Sequence, residues 1–119
     1  MKIELLKSEL ELTLITIAAY DSKTGQIVSG LLSENITLGT KRIIQKIQKK
    51  VHEAYKEFLE DIQEIKKETA EDKETAEKEF QELLKEKVII EAEPFKLSQI
   101  ENISTTANYS FEIIEKISI

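Results

Sequence analysis

The sequence contains no cysteine, which excludes disulfide bonds, thiolate catalysis and cysteine-ligated zinc. With one proline and three glycines it has little turn punctuation, which disfavours a many-stranded sandwich or barrel and points to helices. Long hydrophobic runs are missing too. The longest nearly apolar stretch, LTLITIAAY (12–20), is about half of the roughly 20 residues a membrane-spanning helix needs. Glu4, Glu9 and Glu11 precede it and no A-x-A-like site follows, which argues against a secretory leader. An intracellular protein is expected, and the N-x-S/T matches at Asn35, Asn102 and Asn108 are then incidental. Glycine-rich phosphate loops, the dinucleotide fingerprint G-x-G-x-x-G and the nucleophile elbow G-x-S-x-G are absent. His52 is the one histidine, and the H-E-x-x-H zinc pattern fails because Lys56 stands where the second ligand would be. Neither a metal nor a cofactor is expected, and the chain is read as non-enzymatic.

What is present is charge and helical periodicity. Of 119 residues, 34% are charged and 40% hydrophobic, a balance that suits one domain with long exposed helices. MKIELL alternates Ile3 and Leu5 with Lys2 and Glu4, which predicts a short strand. Ser8 and Glu11 have capping-box spacing, and Leu10, Leu14, Ile17 and Ala18 share a face, which predicts a helix over 9–21. Leu10, Leu12 and Leu14 also alternate, so a strand is the competing reading there. Residues 21–25 read as a turn.

From about Glu34 to Glu68 one long helix is predicted, beginning at Thr40 if Gly39 interrupts it. Its apolar positions are Ile44, Ile47, Val51, Tyr55, Phe58, Ile62 and Ile65, with Ile36, Ile43 and Leu59 widening the stripe. Residues 69–73 carry no large apolar side chain and read as a reversal. A second helix over about 72–87, with Ala76, Phe80, Leu83 and Leu84, then folds back antiparallel. VIIEAE (88–93) reads as a strand stopped by Pro94, Ser98–Glu101 as a capped turn, and Phe111, Ile114 and Ile117 as a short amphipathic helix. The expected fold is α+β, mainly α. A long antiparallel helical hairpin packs on a small two-stranded sheet, with short N- and C-terminal helices. The single domain 1–119 divides into a base (1–33 and 88–119) and an arm (34–87).

Charge is unevenly distributed. KRIIQKIQKK (41–50) holds five of the chain's positive charges, although the net charge is -6. Arg42, Lys46 and Lys49 form one stripe, flanked by Lys41 and Lys50. The stripe has the geometry to meet phosphates, but no aromatic side chain interleaves with it for base stacking. Nucleic acid is therefore not the expected partner; a solvated face, or a match to an acidic protein surface, is. Residues 53–86 hold 13 acidic against 6 basic side chains, including Glu57, Glu60, Asp61 and Glu64 within two turns. Those four read as a solvated face with i,i+4 ion pairs rather than an acid–base pair.

Three segments together, MKIELL, GLLSENITLGTKRIIQKIQKKV (30–51) and LLKEKVIIEAEPFKLSQIENI (83–103), resemble small proteins encoded in bacteriophage and prophage genomes. That resemblance implies a phage origin, in the host cytoplasm or on the virion, and carries over no functional residue.

The expectation is a protein-interaction or assembly protein that self-associates or docks on a protein partner through apolar side chains the short second helix leaves uncovered. Tyr55, Phe58, Phe95 and Tyr109 are the aromatic contact candidates, with core packing the competing reading for each, favoured for Phe58. The alternative is an acidic inhibitor or regulator of a host enzyme with the acidic arm (57–86) as its contact, tested by reversing Glu60, Asp61 and Glu64. Mimicry of nucleic-acid charge is a less favoured reading of the same arm. An enzyme of unknown type ranks last.

Overall fold

The computed structural model describes residues 2–93, 95–100 and 111–118. Strand β1 (Lys2–Leu6) pairs antiparallel with β4 (Lys87–Glu91), with Ile3 opposite Ile90 and Leu5 opposite Val88. Alternation sends Ile3, Leu5 and Ile90 into the core and leaves Glu4 and Ile89 on the outer face. There Lys87 Nζ lies 2.9 Å from Glu4 Oε1.

Beyond β1, the Leu6 N–H donates to Glu9 Oε1 at 2.8 Å across a tight turn (Lys7–Glu9). The acid with a capping role is thus Glu9, which closes the turn ahead of the helix, and not Glu11. Helix α1 (Leu10–Ile17) ends well before the predicted residue 21. Ala18 turns extended at φ -162°, and β2 (Ala19–Tyr20) pairs antiparallel with β3 (Ile27–Ser29). The reason lies twelve residues on. Gly30, at φ 106°, approaches so closely that a Cβ there would sit 2.6 Å from both the Ala18 Cα and the Ile17 carbonyl oxygen. The turn at residues 21–25 forms as expected, with Gly25 N–H donating to the Asp21 carbonyl at 2.8 Å. Among the described residues the fold therefore holds two small sheets where one was expected.

Helix α2 (Leu38–Glu68) starts ahead of Gly39, because Thr37 Oγ1 accepts the Thr40 N–H at 3.3 Å. Its 31 residues run about 46 Å at 1.5 Å per residue, nearly the molecule's 51 Å length. Asp72 caps helix α3 (Lys73–Leu84): its Oδ1 accepts the Thr75 N–H at 3.1 Å and its Oδ2 the Thr75 hydroxyl at 2.6 Å. Those bonds hold the Asp72 carboxyl below its ordinary pKa. Together α2 and α3 form the antiparallel helical hairpin. The architecture is α+β and mainly α.

The core lies at the base. Helix α1 runs along the proximal half of α2, and Leu10 and Ile17 join Ile44, Ile47 and Val51, all fully buried. Helix α4 (Phe111–Ile117) adds Ile113, Ile114 and Ile117. Each such side chain contributes about 1.5–3 kcal/mol by leaving water. Two of the buried hydroxyls are satisfied locally: Thr13 donates to the Glu9 carbonyl at 2.8 Å and Ser118 to the Ile114 carbonyl at 2.6 Å.

Candidate functional site

At the base, the apolar stripe of α2 is sealed; in the arm it is not. Past Val51 the helix packs against α3, with Lys7 beside Asp61 at the root of the arm, and two helices side by side have no third layer to close their seam. Phe58 and Leu83 are the last apolar side chains to be buried, each 7% exposed. Beyond them Ile62, Ile65 and Phe80 stay half-buried, and Leu59 is 44% exposed. The seam opens on one side into a groove of about 650 Å³ floored by Leu59, Ile62, Ile65, Ala76 and Phe80. Gln63, Lys66, Lys73 and Glu77 rim it.

A second hollow, about 530 Å³, lies nearer the base between α1, β2 and α2, against Leu14, Ala18, Tyr20, Gln48, Lys49, His52 and Glu53. There Gln48 Nε2 donates to the Tyr20 hydroxyl at 2.8 Å. The two hollows share one side of α2. Gln48, His52, Leu59, Gln63 and Lys66 succeed each other at steps of 4, 7, 4 and 3, which keep to a single helical face. Among the described residues, no three histidine or carboxylate side chains group as metal ligands.

The opposite side of the arm is acidic. Glu57, Asp61, Glu64 and Glu68 follow at steps of 4, 3 and 4. Asp61 is tied inward: Lys7 Nζ lies 3.6 Å from Asp61 Oδ2 and 2.6 Å from Glu86 Oε2. The Glu86 hydrogen bond, reinforced by both carboxylate charges, outweighs burial and raises the Lys7 ammonium above its ordinary pKa. This clamp joins the root of the arm to the end of β1.

The predicted contact residues are thereby sorted. Glu60 and Glu64 are exposed, one turn apart, whereas Asp61 belongs to the Lys7 clamp, so the expected trio is not one free surface. Arg42, Lys46 and Lys49 are all exposed, but the stripe divides. Lys46 leans toward Glu93 at 3.8 Å and Lys50 donates to the Glu91 carbonyl, both at the end of β4, while Lys49 turns to the His52 hollow. Tyr55 is half-buried between the two hollows, its ring centroid 6.2 Å from that of Phe58.

Of the two readings of Phe95, surface contact and core packing, the structure has the second: the side chain is fully buried, and its backbone bridges to Ser118 just after α4. Tyr109 lies outside the described residues. The groove residues Lys66, Lys73, Gln63 and Phe80 were not singled out as contacts by sequence. The signal for them was Leu59, which falls off the main apolar stripe on the side that α3 leaves open.

No family model, no curated protein and no solved structure matches the chain. The phage resemblance accordingly finds no support there. No helix among the described residues is long and apolar enough to cross a membrane.

Proposed function

We propose that the chain is a non-enzymatic protein-docking module whose helical hairpin is the contact element. The observation that carries this reading is the apolar groove of about 650 Å³ along the arm. Its floor leaves Ile62, Ile65 and Phe80 only partly buried, although the base of the same helix seals Ile44, Ile47 and Val51 completely. A helix-in-groove contact completes that seam by supplying the missing third layer. The test is methyl NMR of the intact protein titrated with amphipathic helical peptides. Shifts should appear at Leu59, Ile62, Ile65 and Ala76 and vanish in Leu59→Asp. Shifts confined to other surfaces, or none with any helical peptide, would sink the reading.

The exposed acids of the arm support a second reading, a regulator that engages the basic surface of a nucleic-acid-handling enzyme. Reversing Glu60 and Glu64, while sparing Asp61 for the Lys7 clamp, should then abolish inhibition with the fold intact.

A further inference from the structure

The arm is two-sided in charge, and the sides differ in what they leave unpaired. On the groove side, Lys66 and Lys73 stand on the rim and Lys49 borders the neighbouring hollow. Lys56 falls between them, two turns after Lys49 on the same helix. None of these four lysines makes an ion pair among the described residues, whereas Lys7, Lys46, Lys87 and Lys116 all do. Their acidic neighbours lining the two hollows are Glu53 and Glu77. The main acidic ridge, Glu57, Asp61, Glu64 and Glu68, faces the other way. In a segment so rich in carboxylates, two hollows lined by three lysines against two glutamates are a local reversal of sign.

We infer that the groove takes an amphipathic helix of another protein whose apolar stripe is flanked by Asp and Glu. This rests on the docking reading and adds the chemistry of the partner. From Leu59 to Lys66 the groove runs about 11 Å along α2, room for about two turns of a partner helix. Charge complementarity along the rim fixes which helices enter and in what register, more than it adds affinity. A second copy of this chain is disfavoured by the same charges. Two-fold pairing of the groove faces sets lysine-bordered channels against each other, and like charges facing across an interface cost free energy. A lipid surface is disfavoured by shape, because the apolar side chains floor a concavity flanked by two helices.

The experiment uses the full chain and three synthetic peptides of about 18 residues. All share one leucine stripe and differ only in flanking residues: glutamate, glutamine or lysine. The glutamate peptide should bind most tightly. Its Kd should rise roughly tenfold between about 0.05 and 0.5 M salt, and by a similar factor in the Lys66→Glu/Lys73→Glu variant. That variant should in turn gain affinity for the lysine peptide, a swap that misfolding cannot produce. Equal binding of all three peptides at the groove would overturn the charge inference and leave the docking reading standing. No binding of any peptide would overturn both. A concentration-dependent dimer in light scattering that Leu59→Asp dissolves would assign the groove to a second copy. Association with anionic vesicles in place of peptides would assign it to lipid.

Discussion

Lys7 Nζ lies 2.6 Å from Glu86 Oε2, and the Lys7 backbone N–H donates to the Glu86 carbonyl at 2.9 Å. Main chain and side chain thus fasten the same two residues, 79 positions apart, where the arm meets the base. Glu86 is more than half exposed, so the ionic part contributes modestly. Lys7→Met should cost about 1 kcal/mol or less in chemical denaturation. It should also speed amide exchange near residues 84–86 more than at Ile47. The Lys7 pKa is raised, so its contribution is complete below 10.5 and is lost as pH climbs through the folded-state value. A uniform rise in exchange across the chain would show that the clamp does not act on the arm.

Two glycines should respond in opposite directions. Gly30→Ala forces a side chain into the backbone of Ala18 at an unfavourable positive φ, and should cost at least about 2 kcal/mol. Gly39 sits in the first turn of α2 with open space around it, so Gly39→Ala should stabilise by up to about 1 kcal/mol. Thermal unfolding of the pair checks both signs.

Glu9 provides a pH-dependent tie. Burial pushes its carboxyl up, but the 2.5 Å contact with Lys116 Nζ and the Leu6 N–H outweigh it, so its pKa falls below the ordinary 4.5. A depressed acid stabilises the fold above the unfolded value and loses that contribution as pH drops through the folded one. Glu9→Gln should therefore lower stability at pH 7 and flatten the acid limb below about 4.5. An acid limb identical to wild type would show that the Glu9–Lys116 contact is not kept in solution.

Phenylalanines rank by position along the arm. Phe95 is sealed at the base and Phe58 nearly so at the root, and each should lose about 3–5 kcal/mol on truncation to alanine. Phe80 is half-buried on the groove floor and should lose about half as much. Urea midpoints of the three variants give the order.

The sequence by itself determined the elements whose pattern is local. The 3- and 4-residue spacing from Ile44 to Ile65 specifies one apolar face of a helix, and the alternation of Ile3 and Leu5 one face of a strand. The reversal before Lys73 is set by a lack of apolar side chains and an aspartate cap. Tertiary contact decided the rest. Ile17–Tyr20 is an apolar run compatible with helix or strand, and the close approach of Gly30 ends the helix at Ile17. Phe95 reads equally as contact or core residue, and only the folded chain, with its backbone bridge to Ser118, buries it. The two sides of the arm were written in the spacing of Glu57, Asp61, Glu64 and Glu68 against Lys49, Lys56 and Lys66. Which side stays open was not, because a periodic pattern fixes the direction of each side chain along its own helix and leaves undecided where a second helix will lie.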